Sequence, residues 1–168
     1  MVTSAIALML FPAAMAYAAS SDLLTMTISN RISIVLVVGF FALALAMHMS
    51  GSDIAMHAGA GLLVLVIAFV LFSLHWIGGG DAKLAAGIAL WLGWSHLLEY
   101  ALLASVFGGA LTVLLLEFRR WALPAPLLGK EWIERLHDRK GGVPYGIALA
   151  IAALVVYPHT GWMAGLGG

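Results

Sequence analysis

Long stretches of this chain contain no charged residue, and this feature limits what it can fold into more than any other. Between Asp53 and Asp81, for example, there is no Asp, Glu, Lys or Arg. A stretch of about 20 apolar residues is long enough to cross the hydrocarbon core of a bilayer. Only 10% of the residues are charged, whereas a soluble domain uses about 25% to cover its surface. The sequence therefore predicts a polytopic membrane protein.

The hydropathy pattern predicts an all-α fold, a bundle of about six transmembrane helices within one membrane-embedded domain of residues 1–168. The fourth segment is short for a span, and we expect Trp94-Ser95-His96 to separate it from the fifth. The first segment ends in Ala-Tyr-Ala-Ala like a signal peptide, but Met1–Ser4 has no basic residue, which favours a retained span. The predicted segments are about 4–21, 32–48, 54–77, 84–96, 97–118 and 142–161.

The basic residues all fall in connections on one side of this scheme. They are Arg31, Lys83, Arg119, Arg120, Lys130, Arg135, Arg139 and Lys140. Because cytoplasmic loops are enriched in Lys and Arg, we expect these connections to face the cytoplasm and both termini to face outward. Asp22, after the first segment, and Asp81, before the fourth, then lie at the same cytoplasmic face.

Composition argues against several classes of function. The formal net charge is zero, which gives no support for nucleic-acid binding. The chain has no cysteine, so a disulfide framework, a thiolate metal site and a thiol nucleophile are excluded. None of the six histidines is four residues from another, the spacing of a helical metal site. We therefore predict no metal and no cofactor, although a distributed histidine site on the outer face stays open as an alternative.

Two carboxylates on one face are a candidate catalytic pair. Asp81 directly follows Gly78-Gly79-Gly80, and glycines leave room for another backbone to approach. Two carboxylates brought close tend to share a proton, so one can take a proton from water while the other polarises a carbonyl. This is the chemistry of aspartic proteolysis. The alternative is that each aspartate only caps a helix, which Asp81 could do for the fourth segment.

Two further stretches face the same side in this scheme. Gly142-Val143-Pro144-Tyr145-Gly146 opens the last segment, and proline is favoured in a first helical turn, so simple helix initiation is the alternative to a functional role. Lys130–Lys140 predicts a short surface helix with Trp132, Ile133 and Leu136 as its apolar stripe. We expect this helix to rest at the lipid headgroups, with a solvated charged loop as the alternative.

Together these stretches resemble the bacterial prepilin peptidase family, the GxGD membrane aspartic proteases. Ser21-Asp22-Leu23 through Ile28-Ser29-Asn30-Arg31 is similar to the first aspartate motif of that family. Gly78-Gly79-Gly80-Asp81-Ala82-Lys83-Leu84 is similar to its GxGD motif, and the Gly142–Gly146 block to the start of its last helix. Within the family, the chain looks like the small form that serves tight-adherence (Flp-type) pili.

The resemblance implies an aspartic endopeptidase of the bacterial inner membrane, with Asp22 and Asp81 as the catalytic pair. Its substrates would be Flp-type prepilins, with pseudopilin precursors as a further possibility, cut at the cytoplasmic face after the glycine that ends the leader. The apolar helix of the precursor would stay in the membrane lipid. Supporting or substrate-binding roles would fall to Asn30, Gly78, Gly80, Lys83, Val143, Pro144, Tyr145 and Gly146.

The chain departs from the family pattern in places. Ser29 stands where the family usually has proline, and Leu24–Thr27 is uncharged where relatives carry basic residues. Larger relatives have a cysteine-based zinc region that is associated with methylation of the new pilin N-terminus. This chain has no such region, so cleavage is the expected activity. Two other functions remain open: a small proton- or ion-coupled transporter that uses the two aspartates as a relay, and a non-catalytic subunit of pilus assembly.

Overall fold

The computed structural model describes residues 2–164, and within that range it contains seven α-helices and no strand. The helices are α1 (Val2–Thr25), α2 (Asn30–Ala46), α3 (Gly51–Ser73), α4 (Gly79–Phe118), α5 (Glu131–His137), α6 (Tyr145–Val156) and α7 (Gly161–Ala164). Short 3-10 turns occupy Ala125–Leu127 and Tyr157–His159. Leu8–Thr25, Gly51–Ser73 and Gly79–Phe118 are long and apolar enough to cross a membrane. The predicted all-α membrane fold is confirmed.

Helix α4 is two helices joined at Gly93. This residue has φ 67° and ψ −175°, a conformation that side chains with a Cβ strongly disfavour. The chain folds back there: Asp81 and Tyr100 line the same cavity, and Arg119, just after α4, donates to the carbonyl oxygen of Gly142, which precedes α6. The predicted boundary between the fourth and fifth segments therefore exists, one residue before the expected Trp94-Ser95-His96.

The core of the bundle lies where α1, α2, α4 and α6 meet. Trp91, Phe11 and Phe40 are completely buried, and the ring of Trp91 contacts the rings of both phenylalanines. The indole N–H of Trp91 donates to the carbonyl oxygen of Leu36 at 2.8 Å, and that of Trp162 donates to the carbonyl of Trp91 at 2.8 Å. Because both indole N–H groups are hydrogen-bonded, the large rings fill the core without leaving a buried donor unpaired.

Topology places the two aspartates at one end of the bundle and the start of α1 at the other. Helix α1 ends and α6 begins at the aspartate end, where the amide N–H of Gly146 reaches the Asp22 carboxylate. At the opposite end, Phe11 of α1 stacks on Tyr157, which follows α6, with ring centroids 4.4 Å apart. The two helices are therefore antiparallel. Which end faces the cytoplasm stays a prediction.

Both aspartates lie inside helices, so their predicted placement in connections is wrong. Helix α1 continues one turn beyond the predicted end, to Thr25, and stops where Met26 takes φ 55°. Helix α4 begins at Gly79, because Gly78 is extended (φ −74°, ψ 148°) and serves as its N-cap. Asp22 is thus in the last turn of α1 and Asp81 in the first turn of α4.

The remaining boundaries differ from the predicted ones by a few residues. Helices α2 and α3 begin early because Ser29 and Ser50 cap them, each accepting a backbone N–H with its hydroxyl. They end early because His48 and His75 turn the chain with φ 55° and 61°. The last predicted segment, 142–161, is α-helical only from Tyr145 to Val156 before the chain turns into a 3-10 helix.

The predicted surface helix at Lys130–Lys140 is present as α5, although shorter. Ile133 and Leu136 are buried against the bundle, whereas Trp132 is partly exposed. The guanidinium of Arg135 donates to the carbonyl oxygen of Leu24 at 2.8 Å, which ties α5 to the end of α1. Helix α5 is therefore held against the aspartate end of the bundle, and its position at the lipid headgroups stays a prediction.

Candidate active site

Asp22 is a buried carboxylate held by a helix other than its own. It is 4% exposed, and its Oδ2 accepts the backbone N–H of Gly146 at 2.7 Å. The N–H of Ile147 also reaches this carboxylate. An anion is disfavoured at the C-terminal end of α1 but favoured at the N-terminal end of α6, because of the direction of the helix dipoles. Asp22 therefore does not cap its own helix; it faces the start of α6.

Asp81 combines a capping contact with access to a cavity. In the first turn of α4, its carboxylate accepts the backbone N–H of Gly78, as the acidic member of a capping box does. The side chain is only half-buried. The capping alternative is thus correct in part for Asp81, because the same carboxylate also lines the cavity described next.

Asp22 and Asp81 face one cavity of about 500 Å³. They lie close enough for their charges to interact. Asp22 belongs to the last turn of α1 and Asp81 to the first turn of α4. The other residues of its wall are Met26, His75, Trp76, Ile77, Gly78, Gly142, Val143, Pro144 and Tyr145. The structure therefore brings all three sequence blocks together around the two carboxylates.

Two of the site glycines leave space for Ile28 of the chain itself. A Cβ added at Gly80 would lie 3.0 Å from the Cβ of Ile28. One added at Gly146 would lie 2.6 Å from its Cδ1 and 2.8 Å from Oδ2 of Asp22. The space beside Gly80, which the sequence associated with an approaching peptide, is filled by the connection between α1 and α2. These glycines allow α4, α6 and that connection to converge on the carboxylates.

A buried arginine shapes the turn that leads into α6. Arg119 is 5% exposed, and its guanidinium donates to the carbonyl oxygens of Leu136, Gly141 and Gly142 at 2.7, 3.0 and 2.7 Å. The first carbonyl belongs to the last turn of α5, and the other two lie between α5 and Pro144. Arg119 thus fixes the chain just before the residue whose N–H holds Asp22. It is a positioning residue, whereas its sequence context indicated only a basic residue in a loop.

We expect Arg119→Ala to destabilise the protein, whereas Arg120→Ala should not. Removing three hydrogen bonds from a buried cation is expected to lower the free energy of unfolding by about 3 kcal/mol. Arg120 is exposed and, in the part of the chain that the structure describes, its side chain pairs with Glu117 alone, so its removal should change stability by less than about 0.5 kcal/mol. Thermal unfolding in detergent measures both. Equal shifts for the two variants would contradict the positioning role of Arg119.

Lys83 and Asn30 are not part of the aspartate cavity. The ammonium of Lys83 donates to Oδ1 of Asn30 at 2.9 Å, and both side chains are exposed. The contact joins the start of α2 to the start of α4. The structure therefore places these two residues beside the site rather than in it, and their supporting or substrate-binding roles stay predictions.

Several residues of the site were not identified from the sequence. Met26 and His75 line the cavity and have positive φ values of 55° and 61°, which is uncommon for residues with a side chain. Tyr145 was identified only as part of a block, but its hydroxyl lies 3.2 Å from Oγ1 of Thr112 on α4. The available signal was position in the sequence, since His75 and Trp76 lie just before Ile77 and the Gly78–Gly80 run.

Three of the histidines at the opposite end have side-chain contacts. His57 Nδ1 lies 2.8 Å from the carbonyl oxygen of Leu90. His96 and His159 lie 3.6 and 3.9 Å from the carboxylate of Glu99. Within residues 2–164, no three His, Asp or Glu side chains are grouped so that they could hold a metal ion.

Comparison with known families gives this geometry a context. The model of the type IV leader peptidase family matches residues 9–113 of the chain. This range is more than half of the chain and contains both Asp22 and Asp81. It ends before the Gly142–Gly146 block, so the contact between Asp22 and α6 joins a matched part to one outside the match. Comparisons with curated proteins and with solved structures gave no match.

Proposed function

The chain belongs to the type IV leader peptidase family, and on that premise we propose that it removes the leaders of Flp-type prepilins with Asp22 and Asp81 as its catalytic pair. Membership makes it a membrane protease. The observation that carries the proposal is the cavity shared by the two carboxylates. Neither Asp22 nor Asp81 has a basic partner among the described salt bridges, which leaves both available to exchange protons with a substrate.

In the proposed reaction the two carboxyl groups share one proton. The ionised group takes a proton from a water molecule as that water attacks the carbonyl carbon of the scissile peptide bond. The protonated group donates its proton to the carbonyl oxygen, which gives a tetrahedral intermediate. When the C–N bond breaks, a proton passes to the leaving nitrogen. Asp22 and Asp81 titrate as a pair, so neither role is assigned to one of them.

The charges at the aspartate end support a cytoplasmic active site. Arg135 contacts the end of α1, Lys83 the start of α2, and Arg119 the turn before α6. Because Lys and Arg concentrate in cytoplasmic loops, this end is proposed to face the cytoplasm of a bacterium and both termini to face outward. A transporter relay is less well supported, since it would place its acids near the bilayer midplane.

The proposed substrate is a precursor with a polar leader followed by an apolar helix. The cavity around the carboxylates has polar and charged residues on its wall, whereas the helices beside it expose apolar side chains. A leader in the aqueous cavity and a helix in the lipid would bring the bond between them to the carboxylates. The Flp-type assignment, and the proposal that residues 1–168 form one peptidase domain, depend on the resemblance of the three sequence blocks.

Co-expression with an Flp-type prepilin tests the proposal. In a bacterium without its own leader peptidase, we expect a shortened pilin whose new N-terminus follows the glycine of the leader. A precursor with that glycine replaced by a bulky residue is the control and should stay intact. Cleavage of another type IV prepilin but not of the Flp-type one would contradict the substrate assignment. No cleavage of any precursor that a second leader peptidase processes would favour a non-catalytic assembly subunit.

A further inference from the structure

A second, larger cavity meets the aspartate cavity at Asp81. Its volume is about 730 Å³, and it lies between α3 and the second half of α4. Most of its wall is apolar, and it includes exposed residues of the bundle surface such as Ile67 and Leu98. Tyr145 and Asp81 line both cavities. We call this second cavity the α3–α4 groove; it extends from exposed apolar residues of the bundle surface to Asp81.

Tyr100 lines the α3–α4 groove and has a buried hydroxyl. Tyr100 is 3% exposed, and its hydroxyl has no hydrogen-bond partner among residues 2–164. It lies close enough to Asp81 for the two to interact electrostatically. A buried unpaired hydroxyl destabilises the folded protein, so its presence calls for an explanation. A ligand that brings a hydrogen-bond acceptor into the groove would give the Tyr100 hydroxyl a partner and so explain its presence there.

The chemistry of peptide cleavage within a membrane identifies such an acceptor. A helix hides its carbonyl oxygens in internal hydrogen bonds, and it must open next to the scissile bond before that bond can be attacked. In an apolar environment each carbonyl freed in this way is costly unless the protein pairs it. A tyrosine hydroxyl beside Asp81 is a donor at the place where an opened backbone would need one.

We propose that the Tyr100 hydroxyl is a substrate-binding group, which donates a hydrogen bond to a backbone carbonyl of the precursor in the α3–α4 groove. The inference rests on the proposed function, because the precursor is its ligand. In this proposal Tyr100 binds the precursor on the membrane side of the scissile bond, whereas Asp22 and Asp81 act on the bond itself. The hydroxyl holds the opened backbone and takes no part in proton transfer.

Tyr100→Phe removes only this hydroxyl and tests the inference. With purified protein and an Flp-type prepilin in detergent, KM is expected to rise about tenfold, the cost of one lost hydrogen bond to a buried carbonyl. kcat should stay within about twofold, since a contact made equally before and during the reaction affects binding alone. The thermal unfolding temperature of the free enzyme should stay the same or rise, because an unpaired buried hydroxyl has been removed.

Tyr157→Phe is the matched control. Tyr157 is 2% exposed and stacks on Phe11 at the end of the bundle away from the carboxylates, so its loss of a hydroxyl should leave KM and kcat unchanged. Unchanged KM in Tyr100→Phe, a fall in kcat alone, or activity that falls only together with thermal stability would each overturn the inference. The wild-type protein distinguishes failure of this inference from failure of the proposed function. A wild type that cleaves no prepilin overturns the proposed function itself.

Discussion

Replacing Asp22 or Asp81 by asparagine is expected to lower cleavage of the prepilin by about a thousandfold or more, the contribution of a positioned acid–base group. Asparagine has nearly the same shape as aspartate. Its carbonyl oxygen can still accept the N–H of Gly146 at position 22, or that of Gly78 at position 81. The substitution therefore keeps the contacts that hold each side chain and removes only its capacity to exchange a proton with water or substrate.

A time course of cleavage in membranes, with each variant at equal abundance, measures this effect. Asp53→Asn is the matched control: Asp53 is also an acid in the first turn of a helix, held by Ser50, but it lies at the start of α3, away from the cavity. We expect it to cleave at the normal rate. A normal rate in either Asp22→Asn or Asp81→Asn would show that the paired-carboxylate mechanism is wrong.

The double variant adds a further check. Because the two carboxylates act as one unit, removing both should cost about as much activity as removing one, and the single losses should not multiply. If Asp81 acted only as a cap of α4, Asp81→Asn would instead lose activity in step with its thermal stability. Unfolding curves of the three variants separate these outcomes, since a purely catalytic loss leaves the unfolding temperature nearly unchanged.

The general architecture could be predicted from the sequence because apolar runs in a membrane protein leave few other choices. A run without charges must form a helix to satisfy its backbone in lipid. Even the break between the fourth and fifth segments, predicted at Trp94-Ser95-His96, lies only one residue away, at Gly93. The proximity of Asp22 to Asp81 was also predictable in outline, since the sorting of the basic residues assigned both acids to the same face.

The details of the site depend on contacts that a local sequence pattern does not predict. Helices α1, α2 and α3 end one or two residues before Met26, His48 and His75, which take positive φ values that glycine adopts more easily. Propensity alone therefore misplaces their ends, and it put Asp22 outside α1. The partners of Arg119 and the unpaired hydroxyl of Tyr100 are long-range features that exist only once the helices have packed.

The link between Asp22 and Gly146 is the clearest case of such a contact. The two residues are 124 positions apart, yet the N–H of Gly146 lies 2.7 Å from Oδ2 of Asp22. The sequence offered helix initiation as the plain explanation for the Gly142–Gly146 block. The structure agrees that α6 starts there and adds that its first free N–H groups hold a carboxylate from α1, as helix N-termini do with anions.

Gly146→Ala is therefore expected to lower cleavage about a hundredfold, the order of loss that follows a displacement of about 1 Å at a reacting group. The new Cβ would lie 2.8 Å from Oδ2 and 3.1 Å from Cγ of Asp22. To avoid this Cβ, the Asp22 carboxylate must move away from its place in the cavity, and it then loses the hydrogen bond from the N–H of residue 146. Thermal stability should change less than activity, because alanine favours the helix by about 1 kcal/mol over glycine.

Cleavage rates and unfolding temperatures of two further variants identify the cause. Gly51→Ala, at the start of α3, adds a Cβ with no atom within 4 Å and should keep full activity. In Gly146→Ala the Cβ would also lie 2.6 Å from Cδ1 of Ile28, and Ile28→Val removes that atom. If the double variant Ile28→Val/Gly146→Ala stays inactive, the clash with Asp22 is responsible. If it recovers, the contact with Ile28 is the cause, and the proposed dependence of Asp22 on Gly146 is wrong.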